Sequence, residues 1–112
     1  MLSVDGRPVA PLTVAVDPAA RRRGLIGQTS VDGALLLPGV RAVHTIGMRV
    51  VIDVAYLDDR GAVIEIRRMR RWRVGRRRRQ AAAVLEAAAG SFDRWGLHVG
   101  SVVSSMQAIT GG

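Results

Sequence analysis

The stretch Met48–Leu57, MRVVIDVAYL, limits what this chain can become more than any other part of it. It is rich in β-branched residues and ends at Asp58-Asp59-Arg60-Gly61, after which AVIEI (62–66) resumes the apolar alternation. Two such runs around a tight glycine turn predict an antiparallel hairpin. In an extended chain successive side chains point to opposite faces. Val50, Ile52, Val54 and Tyr56 then share one face, and Val51, Asp53, Ala55 and Leu57 the other. Both rows are apolar except at Asp53, so the strand is expected in the middle of a sheet covered on both sides. Asp53 must then pair with an arginine, for which Arg23 and Arg49 are the candidates, or accept backbone N–H groups, because an isolated buried charge is very costly.

The flanking sequence supplies short elements in keeping with this spine. Asp5-Gly6 marks a small N-terminal hairpin, and LTVAV (12–16) reads as a strand. Asp17-Pro18-Ala-Ala-Arg-Arg-Arg-Gly24 spells a one-turn helix. Asp17 suits the cap, Pro18 the first position, arginines the last turn and Gly24 a left-handed exit. Ala34–Leu37 and Val40–Ile46 suggest two short strands around Pro38-Gly39. QAAAVLEAAA (80–89) is ambiguous: its alanines favour helix, while its flanks favour a strand. Ser91–Gly96 reads as a second capped turn, SVVSSMQAI (101–109) as a final strand, and Thr110–Gly112 as a frayed end.

With 112 residues there is room for one core, so residues 1–112 are read as a single domain. The 48% hydrophobic content excludes a disordered tail. Cysteine is absent, which removes disulfides, thiolate metal sites and cysteine nucleophiles together. No apolar run approaches the ~18 residues of a membrane helix, and MLSVDGRPVA is no signal peptide, so a cytoplasmic protein is expected.

Charge is concentrated in one place. All seventeen basic residues are arginine, which points to a GC-rich genome, and nine of them fall within RRMRRWRVGRRRR (67–79). The remaining eight against nine acidic residues are nearly neutral. A run of this density cannot be packed into a core, since each buried guanidinium needs its own partner. Residues 70–79 are therefore expected to protrude as a mobile loop or strand extension. Arg70, Arg71, Trp72, Arg73, Arg76, Arg77, Arg78 and Arg79 are candidate contacts for nucleic acid or another polyanion, without base readout.

Three fragments in register resemble the DUF192 (UPF0127) family of small bacterial and archaeal proteins. Arg23-Gly24-Leu25-Ile26-Gly27 is similar to its R-G-L-M-G helix exit. Val43 to Asp58 resembles its central W-M-K-N-T-x-I-P-L-D-x-x-F-L-D stretch, with His44 and Gly47-Met48 replacing the common tryptophan and Asn-Thr pair. Val84-Leu85-Glu86 through Gly90, then Gly96-Leu97 and Val99-Gly100, follow V-L-E-x-x-A-G … G-(I/L)-x-x-G. The resemblance spans about residues 12–106, with the arginine block in the family's variable loop. It implies a compact, mainly β fold (α+β at the margin), a small sandwich or barrel with one or two short peripheral helices. It also implies a strand at 83–88 and defines no activity; sugar or other small-ligand binding on a concave face rests on analogy of shape.

His44, Thr45, Met48 and Asp53 form the one polar cluster within the most apolar segment, and are read as a candidate ligand groove. No catalytic residue is assigned. A hydrolase would use His44 as base, a serine or threonine as nucleophile and Asp53 as orienter. A metal centre would join His44, His98, Asp53 and Glu86. No recognisable motif supports either, so no metal or cofactor is expected. The reading is a non-enzymatic module for a small ligand or protein partner, a monomer or small homo-oligomer, with polyanion binding as the alternative.

Overall fold

Of the hairpin expected over 48–66, the first strand forms only from Ile52 and lies between two neighbours inside the larger of two sheets, while the second strand is its edge. The computed structural model describes residues 1–26 and 32–105. Along the chain run β1 (Leu2–Val4), β2 (Arg7–Ala10), β3 (Leu12–Val14), α1 (Pro18–Arg23), β4 (Ala34–Pro38), β5 (Ile52–Leu57), β6 (Val63–Met69), β7 (Ala83–Ala88), α2 (Ser91–Trp95) and β8 (Val103–Ser105). One sheet has the order β2-β1-β8 and the other β3-β4-β7-β5-β6. The β3–β4 pair is parallel and the others are antiparallel. Among the described residues no helix is long and apolar enough to cross a membrane.

All six residues of β5 are buried, as its two apolar rows require. Ala55 and Leu57 join Leu85 and Ala87 of β7 in a core shared with Leu2, Val4 and Val103 of the smaller sheet and Phe92 of α2. Ile52, Val54 and Tyr56 join Val84 in a second core with Leu25, Leu37, Val43, Met48 and Met69. Full burial of each large side chain contributes about 2 kcal/mol. The result is a pair of packed sheets with two short helices, the sandwich form of the expected mainly β fold rather than a closed barrel. The alanines of β7 become a strand because β4 and β5 hydrogen-bond both of its edges, which outweighs their helical propensity.

Local chemistry sets the ends. Asp5 and Gly6 both have positive φ (50° and 83°), the geometry of a two-residue hairpin turn. Asp17 caps α1 by accepting the Ala20 N–H at 2.8 Å, and Gly24 leaves the helix at φ 53°.

Several expectations are corrected. Residues 40–46 form no strand; their one ladder contact is an isolated His44–Val74 bridge. The turn expected at 91–96 forms as α2, with Gly90 at its cap position and no side-chain capping bond. Asp53 pairs with neither Arg23 nor Arg49. Its Oδ1 meets Arg68 Nε at 3.0 Å, because Asp53 and Arg68 are register partners across β5 and β6. Its Oδ2 accepts the Gly90 and Phe92 N–H groups at 2.9 and 3.3 Å, tying the start of α2 to the sheet. Gly27 of the resemblance and residues 106–112 of the expected strand and tail lie outside the described residues.

The arginine block is also more attached than expected. Arg67 to Met69 complete β6, and the chain then runs back along 41–45. Thr45 N–H donates to Arg73 O, Trp72 N–H to Thr45 O, Gly75 N–H to Val43 O and Arg78 N–H to Arg41 O. Those backbone groups need partners, and the two irregular segments satisfy each other. Arg78 is drawn inward: its guanidinium lies 4.5 Å from the centre of the Tyr56 ring and 2.6 Å from Glu65 Oε2.

Candidate functional site

The four residues expected to share a groove are separated. Thr45 is fully buried, its Oγ1 donating to Arg70 O at 2.6 Å and accepting the Arg73 N–H at 2.7 Å. Met48 packs in the core beside Ile52. Asp53 lies in the opposite row of β5 and serves α2. Of the four, His44 alone lines a cavity. Because Thr45 spends its hydroxyl on backbone, it makes no pair with the exposed His44 ring. Among the described residues no three His, Asp or Glu side chains converge, so the set His44, His98, Asp53 and Glu86 is not assembled.

The residue that matters beside His44 is Glu86. It sits in β7 on the same face as Val84, with only 2% of its surface exposed. The exit of α1 crosses above it. Leu25 N–H donates to Glu86 Oε1 at 3.1 Å, the one hydrogen bond the carboxyl makes among the described residues, so Oε2 has no partner among them. Gly24 is required for this approach, since a Cβ there would lie 2.3 Å from Oε1. Burial pushes the carboxyl up from its ordinary 4.5 to about 7, against the smaller pull of the Leu25 N–H. Near neutrality Glu86 is therefore poised between a proton donor and a carboxylate.

Above Glu86 opens a cavity of about 300 Å³ lined by Arg21, Arg22, Arg23, Gly24, Leu37, Val40, Ala42, Val43, His44 and Glu86. Its walls are mostly apolar and its basic residues come from the last turn of α1. None of the three arginine side chains has a partner among the described residues. A few polar groups converging on an apolar recess, one of them a carboxyl with a displaced pKa, are the features of a binding site. A second cavity of about 370 Å³ lies between Leu2, Leu12, Leu36, Leu57 and Val103. It is lined by two carboxylates, Asp58, whose Oδ1 accepts the Arg60 and Ala62 N–H groups at 2.9 Å within the hairpin turn, and the exposed Asp59; neither is buried as Glu86 is.

Glu86 appears in the sequence analysis only within a metal alternative and a family fragment. Its signal was the same as that of Asp53, a lone acid in an apolar strand, but alanines on both sides obscured the strand.

Fold and site define a small two-sheet β domain with a proton-holding carboxyl at the base of an open cavity. The sequence matches the DUF192 family, described as an uncharacterized ACR, over residues 2–105, and the chain belongs to that family. Two solved structures share the fold. One, "a putative transcription regulator" from Sinorhizobium meliloti, is 23% identical and superimposes with a TM-score of 0.70, covering 83% of this chain and 79% of its own. The other, a protein of unknown function from Novosphingobium aromaticivorans, is 19% identical with a TM-score of 0.79, covering 93% and 83%. At these identities the likeness is one of fold alone. Among curated proteins no sequence matches the chain.

Proposed function

We propose that the chain is a binding module rather than an enzyme, and that it holds a small organic acid in the cavity over Glu86. The observation that carries this is a buried carboxyl raised to about 7, its Oε2 without a partner among the described residues, lining one cavity with three arginines that likewise have none among them. A protonated Glu86 donates a hydrogen bond to a ligand oxygen, which a carboxylate cannot do. The arginines at the rim favour an anion. Leu37, Val40 and Val43 suit a short apolar body. The absence of cysteine fits a reducing cytoplasm, and the arginine-only basic composition fits a GC-rich bacterial genome.

Thermal-shift measurements with acetate, lactate, succinate, glycerol and glucose test the reading. The expected result is stabilisation by the carboxylates, weakening above pH 7 as Glu86 loses its proton. The effect should vanish in Ala42→Phe, which fills the mouth of the cavity from an exposed position and leaves the core intact. Equal shifts in that variant, or none in the native protein, would contradict it.

A further inference from the structure

The nine guanidiniums of residues 67–79 fall into two groups. Arg67 and Arg78 share Glu65, and Arg68 pairs with Asp53. Arg70, Arg71, Arg73, Arg76, Arg77 and Arg79 make no side-chain hydrogen bond or ion pair among the described residues, and all six are exposed. Codon bias accounts for arginine in place of lysine. It does not account for six cations without a partner among the described residues within ten positions, where they repel one another.

The same segment presents an indole. Trp72 is 62% exposed and adopts φ 62°, a left-handed conformation that a bulky residue rarely takes. The turn is built from below. Buried Thr45 pins Arg70 O and Arg73 N–H with its hydroxyl, and the Trp72 N–H donates to Thr45 O at 2.9 Å. The ring is thus displayed by a preformed turn, between Arg71 and Arg73, rather than left on a loose loop.

Beside this turn the exposed arginines border two shallow, open depressions. One of about 480 Å³ is lined by Arg68, Arg70, Arg73 and Arg76, and a second of about 380 Å³ by Arg76, Arg77 and Arg79. Arg76 and Arg78 line both, so the two lie side by side. A flexible phosphodiester chain can lie along such a line of exposed guanidiniums. A duplex offers its phosphates but not the faces of its bases, and this block of strand and turn has no helix to enter a groove. An unstacked strand offers both, phosphates for the forks of arginine and a base for the indole. We infer that the arginine track with Trp72 is a sequence-tolerant binding site for single-stranded nucleic acid, separate from the Glu86 cavity.

The test is fluorescence binding of the full chain to labelled oligo-thymidylate, to a duplex of equal length and to phosphatidylserine vesicles. A Trp95→Phe background makes Trp72 the only reporter. The single strand is expected to bind tightest and to quench Trp72. With about four phosphates neutralised, log K should fall with log salt at a slope near −3. Trp72→Gly should weaken binding about tenfold through lost stacking while the melting temperature holds or rises, because glycine relaxes the left-handed turn. Replacing Arg76, Arg77 and Arg79 together by serine should reduce the slope by roughly 2. Duplex binding as tight as the single strand, vesicle binding without oligonucleotide binding, or no binding at low salt would each overturn the inference. So would Trp72→Gly that binds normally, or that loses melting temperature in step with affinity, since the indole would then be structural.

Discussion

Replacing Glu86 by glutamine should leave stability unchanged in acid and raise it at mildly alkaline pH. The amide keeps an oxygen to accept the Leu25 N–H, and it has nearly the shape of the protonated carboxyl. In the native protein the folded-state pKa of about 7 lies above the ordinary 4.5 expected of the unfolded chain. Between those values the folded state holds a proton that the unfolded state has lost, so stability falls as pH rises through that window and then levels off. The loss is about 2.5 pKa units at 1.36 kcal/mol each, about 3 kcal/mol. Glu86→Gln removes this loss. The two proteins should have equal unfolding free energies near pH 4.5, differ by about 2 kcal/mol at pH 6, and differ by about 3 kcal/mol at pH 8. Urea unfolding in carboxylate-free buffer across that range reads the difference directly. Glu65 titrates in both proteins and cancels. A gap that is constant with pH, or smaller than about 0.5 kcal/mol at pH 8, would refute the buried and partly unpartnered carboxyl.

Asp53→Ala should cost about 3 kcal/mol, because the buried Gly90 and Phe92 N–H groups lose their acceptor. Arg68→Ala should cost far less, since that side chain is half exposed; chemical denaturation of the two variants checks the contrast. Arg78→Ser should lower stability by about 2 kcal/mol by removing a mostly buried partner of Glu65 and Tyr56. Serine at Arg76, Arg77 and Arg79 together should lie within about 0.5 kcal/mol of the native protein in the same assay. Glu65 is held at about 2 by hydrogen bonds from Arg78 and then Arg67. Its depressed pKa contributes stability above 4.5 that is lost as pH falls toward 2, and Glu65→Gln should abolish that part of the acid transition seen by circular dichroism.

What could be read from the sequence was whatever a local pattern encodes. The two apolar rows of β5 placed it centrally, Asp58–Gly61 set its turn, and Asp17-Pro18 located α1. What could not be read depended on groups far apart in the chain. Asp53 and Glu86 are each a single acid in an apolar strand, and nothing local tells them apart. One receives an arginine from the neighbouring strand and two N–H groups from α2. The other receives, among the described residues, a single N–H from Leu25, 61 positions away. The run Arg76–Arg79 likewise gives no hint of which member turns inward. Hairpin register decides it by placing Tyr56 opposite Glu65, so that Arg78 meets both. His44 and Thr45 looked like a dyad because they are adjacent, yet Thr45 faces the core and builds the Trp72 turn while His44 stays exposed.

The central claim is that Glu86 carries an exchangeable proton at the base of a ligand cavity. Carbon-13 NMR of glutamate-labelled protein, titrated from pH 4 to 9 with and without saturating lactate or succinate, tests it most directly. The account predicts a Glu86 carboxyl titrating near 7 in the free protein. It should titrate higher with the acid bound, because a neighbouring negative charge favours the protonated form. A Glu86 that titrates in the ordinary range near 4.5, and is unmoved by either acid, would contradict it.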